Sequence, residues 1–196
     1  MHTKRIGIID SGLGGLYYTK LINKSCILIM DTAFFPYGGK SKEFLIKRTI
    51  YLCKYLENKC EKIILGCNTL SLIVLPFVKL IFNNISGVFD EFIPYIDNRS
   101  IIIGSKLTTK LASKLYNINF IDGSKLIYMI ENNINYDDEV NKINNLIKDY
   151  DKIILACTHF LALKDNIFCI KEIKNHPKGW FQSVDKYMIV DSLLFF

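Results

Sequence analysis

The sequence has little of several residue types that mark specialised binding sites. Only three of its 25 cationic residues are arginine, and the 22 lysines are scattered singly, although the net charge is +6. Nucleic-acid-binding surfaces usually cluster arginine with aromatic side chains, so we expect no nucleic acid partner. Histidine is limited to three residues and no Cys-x-x-C pair occurs. Both absences argue against a zinc site, and we predict no metal ion.

Long apolar stretches are also missing. The longest nearly apolar run, residues 70–78, is interrupted by Pro76 and followed by Lys79. It falls short of the ~20 residues that a membrane-spanning helix needs. At the N-terminus only residues 6–9 are apolar before Asp10, which is too short for the core of a secretory signal. We therefore expect a cytoplasmic protein with no membrane span, and reduced cysteines.

What the sequence does contain is an alternation of short apolar runs rich in Ile with helical patterns. Short, continuously apolar strands separated by helices are typical of a parallel sheet covered on both faces, and we predict an α/β fold. The strands are predicted at residues 5–10, 26–30, 62–67, 86–89, 101–104, 117–121, 152–157 and 187–190, and the helices at 15–23, 41–58, 71–82, 108–116, 124–133, 137–150 and 160–173.

An internal repeat divides the chain. Residues 62–69, Lys-Ile-Ile-Leu-Gly-Cys-Asn-Thr, recur at 152–159 as Lys-Ile-Ile-Leu-Ala-Cys-Thr-His, and the apolar runs before them are weakly alike. The chain therefore indicates two similar α/β lobes, each with one Cys at the carboxyl end of a strand, where parallel sheets bind ligands. We assign residues 1–91 and 175–196 to the first lobe and 92–174 to the second, with the active site in the cleft between them.

The two repeated cysteines, Cys67 and Cys157, differ from the other four, which fit the usual role of Cys as a small buried hydrophobe. Each lies where a strand gives way to a helix, so we expect the helix N-terminus to lower the pKa of its thiol. Paired thiols in paired lobes suit a reaction that treats opposite faces of one substrate alike, which is inversion at a carbon.

The glycine-rich turn at 10–15 lacks the third glycine of the dinucleotide fingerprint, so no nucleotide cofactor is predicted there.

Four short motifs in order carry a family resemblance. They are Asp-Ser-Gly at 10–12, Asp-Thr-Ala at 31–33 with Pro-Tyr-Gly at 36–38, Cys-Asn-Thr at 67–69 and Cys-Thr-His at 157–159. Together they resemble the signature of the glutamate racemases, a cofactor-independent family that makes D-glutamate for peptidoglycan. The resemblance covers nearly the whole chain, although the chain is shorter than is usual for the family.

The resemblance implies a role for each matched residue. Cys67 would face the Cα–H of D-glutamate and Cys157 that of L-glutamate, assisted by Asp10, Glu131 and His159. The resemblance also implies glutamate as substrate and no cofactor, and a homodimer is one arrangement that we expect the chain could adopt. The substrate contacts would be Asp10, Ser11, Tyr37, Gly38, Asn68, Thr69, Thr158 and His159, and Asp31 matches a further polar position.

Two other functions remain open at this stage. A racemase of aspartate or another acidic amino acid would use the same two thiols, although Cys-Thr-His at 157–159, in place of the Cys-Thr-Glu often seen in aspartate-type relatives, favours glutamate. A catalytically decayed protein of the same fold could instead bind an acidic ligand or a protein partner without turning anything over.

Overall fold

The computed structural model describes residues 5–22 and 24–163 and a strand at 186–189. Its strands are β1 (Ile6–Asp10), β2 (Cys26–Met30), β3 (Lys62–Leu65), β4 (Ile85–Gly87), β5 (Ser100–Gly104), β6 (Asn119–Asp122), β7 (Lys152–Ala156) and β8 (Lys186–Ile189). Its α-helices are α1 (Gly14–Thr19), α2 (Lys42–Glu57), α3 (Asn68–Ile73), α4 (Leu75–Val78), α5 (Lys106–Tyr116), α6 (Ser124–Glu131) and α7 (Asp137–Leu146).

The strands form two parallel sheets. The first has the order β4-β3-β1-β2-β8, and the second has the order β6-β5-β7. In the first sheet Ile8 of β1 aligns with Leu28 of β2 and with Ile64 of β3. Every residue of β1, β2 and β5 is buried, because helices cover both faces of each sheet. The predicted α/β fold with two parallel sheets is confirmed.

The helices carry the usual local signals. Ser41 caps α2 by accepting a hydrogen bond from the backbone N–H of Phe44, and Ser105 caps α5 in the same way from Thr108. Such caps satisfy backbone donors that have no partner inside the helix. Leu45, Leu52 and Leu56 of α2 are buried, at the spacing that places side chains on one helix face. The caps and this apolar face hold α2 against the first sheet.

Several predicted boundaries differ from the structure. The helix expected at 71–82 is two short helices, α3 and α4, because Pro76 has no N–H for a continuous helix. The strand expected at 86–89 ends at Gly87, where a 3₁₀ helix begins (Val88–Glu91). The helix expected at 160–173 is a 3₁₀ helix at Thr158–Leu163, and residues 164–173 lie outside the described part.

The strand order shows that the first sheet is built from two separate segments of the chain. The chain leaves the first sheet after β4, forms the whole second sheet, and returns in β8, which pairs in parallel with β2. The boundaries at 91/92 and 174/175 stay predictions. Within the described ranges no helix has both the length and the apolar character needed to cross a bilayer.

Candidate active site

The carboxyl ends of β1, β3 and β7 and the loop after β2 converge on one cavity between the two sheets. All eight residues expected to contact substrate line it, together with both repeated cysteines. The full lining is Asp10, Ser11, Phe35, Pro36, Tyr37, Gly38, Cys67, Asn68, Thr69, Ser105, Ile127, Ala156, Cys157, Thr158 and His159. Its volume is about 30 Å³, which holds one or two water molecules. The free space in the cleft is therefore small in this structure.

Cys67 lies at the first-lobe wall of the cavity and precedes the first turn of α3. It is buried, and the Ser11 hydroxyl donates to its sulfur over 3.8 Å. Burial raises the pKa of the Cys67 thiol to about 12, and the nearby Asp10 adds to the shift. The expectation of a lowered pKa is wrong, because burial and Asp10 outweigh the lowering effect of the Leu70 backbone N–H in the first turn of α3. Cys67 is a neutral thiol at neutral pH.

Asp10, at the end of β1, is fully buried beside Cys67. Its carboxylate accepts hydrogen bonds from the Thr158 hydroxyl at 2.9 Å and from the Gly12 backbone N–H at 3.3 Å. Burial raises the pKa of Asp10 to about 6, and the charge of His159 opposes that shift. Because Thr158 comes from the second lobe, Asp10 ties the two lobes together at the floor of the cavity.

Cys157, on the opposite wall, heads a chain of polar contacts. Its sulfur is 3.4 Å from His159 Nδ1, and His159 Nε2 is 2.6 Å from Glu131 Oε2. Burial alone lowers the pKa of His159, but Cys157 and Glu131 outweigh it and raise the pKa to about 10. His159 is therefore a cation at neutral pH, and it lies next to the Cys157 sulfur. Glu131 lies behind His159 and does not line the cavity.

The glycine-rich turn explains how the second lobe approaches so closely. The Leu13 N–H donates to Glu131 Oε2 at 2.8 Å. A Cβ at Gly12 would lie 2.6 Å from the same oxygen, and a Cβ at Gly14 would lie 2.2 Å from Thr158 Oγ1. Real Cβ atoms do not come this near to other heavy atoms. These glycines leave room for Glu131 and for residues 158–159.

Tyr37 is held by a buried ion pair that sequence reasoning missed. Asp31 is fully buried and accepts from Arg48 Nε at 2.9 Å, from the second Arg48 nitrogen at 2.8 Å and from the Tyr37 hydroxyl. Asp31, which the motif placed at a polar site position, does not line the cavity. No motif in the sequence singled out Arg48, which lies 17 residues after Asp31 in the chain.

Ser105 and Thr108 also escaped the list of predicted site residues. The Thr69 hydroxyl oxygen lies 2.9 Å from that of Thr108 and 3.2 Å from that of Ser105. These contacts join α3 of the first lobe to α5 of the second. The weak repeat between the runs at 6–11 and 101–105 was the signal for Ser105, since it aligns Ser105 with Ser11.

The described residues contain no group of three or more His, Cys, Asp or Glu side chains that could hold a metal ion. No disulfide joins any two of the five cysteines in the described residues, and Cys169 lies outside those residues. What the cavity offers is two thiols on opposite walls, one beside a carboxyl group and one beside an imidazolium. Such an arrangement can remove a proton from one side of a small molecule and return one from the other.

Comparison with known proteins places the site in context. No family model matches the chain. The chain is 31% identical over 196 residues to the glutamate racemase of Lactobacillus johnsonii, covering 87% of this chain and 74% of that protein. It is 32% identical over 189 residues to the glutamate racemase of Buchnera aphidicola subsp. Schizaphis graminum, covering 82% of this chain and 74% of that protein. The crystal structure of the Campylobacter jejuni glutamate racemase superposes with a TM-score of 0.64 at 29% identity, covering 82% of this chain and 74% of that one.

Proposed function

This chain belongs to the glutamate racemase family, and from that premise we propose that it interconverts L- and D-glutamate by two-base proton transfer between Cys157 and Cys67. The observation that carries the proposal is the difference between the two walls of the cavity. Cys67 is a buried thiol with its pKa raised to about 12. Cys157 lies 3.4 Å from His159, which carries a positive charge.

This difference between Cys67 and Cys157 determines which enantiomer of glutamate the resting site converts first. The Cys157 thiolate, paired with the His159 imidazolium, takes the Cα proton of L-glutamate. The neutral Cys67 thiol then donates its proton to the opposite face of the carbanion, which produces D-glutamate. The cycle leaves a Cys157 thiol and a Cys67 thiolate, so the reverse reaction begins at Cys67. Before the next L-glutamate reacts, Cys67 must regain a proton and Cys157 must release one. Asp10, with its pKa raised to about 6, is placed to pass a proton from the solvent to Cys67, and Cys157 releases its proton to the solvent.

The carbanion needs stabilisation because the Cα–H of an amino acid, next to an ionised carboxylate, is a very weak acid. Without an electron-accepting cofactor, the site must supply hydrogen-bond donors aimed at the substrate carboxylate, where the charge develops. Asn68, Thr69 and Thr158 line the cavity at the ends of β3 and β7, and each offers a backbone N–H and a polar side chain. We assign the α-carboxylate to these groups.

The free space of about 30 Å³ holds only one or two water molecules, so the lobes must part before glutamate enters. Parting breaks the hydrogen bonds from Thr158 to Asp10 and from Leu13 to Glu131. Both involve buried or partly buried groups, which re-form their bonds once water has left the cleft. The proposed product, D-glutamate, would supply peptidoglycan synthesis, as the family resemblance implies.

The decisive experiment separates the two thiols. A glutamate analogue with a leaving group at Cβ needs only one proton abstraction, because departure of the leaving group with the electron pair replaces reprotonation. Cys67→Ala should eliminate from the L-configured analogue through Cys157 and not from the D-configured one, and Cys157→Ala should show the reverse preference. Neither variant should racemise glutamate. The rate of elimination is measured by the appearance of the keto acid product.

Two results would contradict the proposal. If either variant processes both enantiomers of the analogue, or if one still racemises glutamate near the wild-type rate, the two thiols are not the two bases. Incubation of the wild-type protein in D₂O with L-glutamate and, separately, with L-aspartate addresses the alternatives by nuclear magnetic resonance. Loss of the Cα–H signal from aspartate alone would reassign the substrate, and retention of both signals would indicate a protein that binds without catalysis.

A further inference from the structure

A second concave site lies outside the catalytic cavity, and it is also shared by the two lobes. On one side are α3, α4 and the start of α2, and on the other are α5 and β6. Its volume is about 900 Å³, within the range of small-molecule sites. Its apolar wall consists of Leu72, Ile73, Pro76, Phe77, Leu107, Leu111 and Phe120. We refer to this site as the interlobe groove.

The apolar wall is open to solvent at its edges. Phe77 is 38% exposed and Phe120 is 41% exposed, so the groove presents aromatic surface from both lobes. Exposed apolar surface in one concave patch is more informative than scattered exposed side chains, because it is typical of a binding site. The groove therefore has the shape and surface of a site for an apolar group.

The polar rim of the groove is cationic. It contains Lys40, Lys42, Lys110 and Lys114, and none of the lining residues is acidic. Within the described part of the chain, these four lysines form no salt bridge, whereas Lys79 and several other lysines are paired with carboxylates. The Lys42 ammonium instead lies 4.2 Å from the centre of the Phe77 ring. The rim thus offers unpaired positive charge directly beside apolar surface.

We propose that the interlobe groove binds a small anion with an extended apolar body, of the class of acyl carboxylates. The negative charge of such a ligand complements the four lysines, which lack carboxylate partners among the described residues. Its apolar body covers the exposed faces of Phe77 and Phe120. The volume suits a small molecule better than a folded partner. A ligand seated there contacts α3, which begins next to Cys67, and α5, which begins next to Ser105. It would bridge the two lobes close to the catalytic cavity without entering it.

Dansylundecanoate, a fluorescent acyl carboxylate, tests the site on the full chain. Its emission should rise saturably on binding, and its uncharged methyl ester should bind more weakly because the apolar body is the same but the charge is missing. Lys110→Glu/Lys114→Glu should weaken binding about tenfold or more, since each change replaces an attraction by a repulsion. Phe120→Ser should weaken binding through the apolar wall while the net charge stays unchanged.

The matched control is Lys47→Glu/Lys54→Glu, which makes the same change in net charge at two exposed lysines of α2 outside the groove. It should bind dansylundecanoate as the wild-type protein does. Circular dichroism confirms that each variant is folded. Absence of saturable binding, equal binding of acid and ester, or equal weakening by both lysine pairs would overturn the proposal. Because the readout is binding, its failure would leave the racemase assignment untouched.

Discussion

Replacing Arg48 by Gln should destabilise the protein strongly although Arg48 lies outside the catalytic cavity. Asp31 is completely buried and receives two charge-assisted hydrogen bonds from Arg48, at 2.9 and 2.8 Å, and one from Tyr37. The change removes the compensating charge and leaves a buried carboxylate. Breaking a buried ion pair from one side costs about 3–5 kcal/mol. That is a large share of the roughly 5–15 kcal/mol by which a domain is stable.

Urea unfolding followed by circular dichroism measures the loss. Arg48 also packs against the ring of Phe34, 4.8 Å from its centre, so part of the loss reflects packing. The double variant Asp31→Asn/Arg48→Gln removes both charges and should recover a substantial part of the stability, because no unpaired charge is then buried. The recovered part measures the electrostatic contribution separately from packing.

An exposed ion pair provides the control. Arg99 and Asp151 form a salt bridge of 2.6 Å with side chains that are 68% and 53% exposed. Arg99→Gln should stay within about 1 kcal/mol of the wild-type stability, because water screens such pairs. If Arg48→Gln costs no more than Arg99→Gln, or if the double variant recovers nothing, the reasoning from burial is refuted.

Two further predictions concern the catalytic cavity. Gly14→Ala should abolish most of the activity, because the new Cβ would lie 2.2 Å from Thr158 Oγ1, whereas Gly39→Ala, with no atom within 4 Å, should leave the turnover rate near that of the wild-type protein. Racemisation assays on both folded variants check this, and equal activities would contradict it. His159, whose pKa is raised to about 10, should contribute stability that is complete below its unfolded pKa of about 6.5 and is lost as the pH rises through about 10. Urea midpoints across that range should fall more steeply for the wild-type protein than for His159→Gln, and parallel curves would refute the assignment.

Much of the fold was predictable because its signals are local. Short runs rich in Ile, such as 63–65 and 153–156, are apolar throughout, and this pattern arises when both faces of a parallel strand are buried. The repeat around Cys67 and Cys157 placed both thiols at the carboxyl ends of strands. Since parallel strands all end at the same edge of their sheet, each thiol was predicted to lie near the other motif residues at the strand ends of its own lobe.

The tertiary structure alone decided how each group in the cleft behaves. The local sequence placed Cys67 at a helix N-terminus and so predicted a lowered pKa, but burial and Asp10 raise it to about 12. The partners of His159 and Asp31, which are Glu131 and Arg48, lie 28 and 17 residues away in the chain. A pKa depends on water access and on charges within a few ångströms, and these are set by how the lobes pack. A single sequence lists the side chains of the site, but their distances exist only once the two lobes have closed on each other.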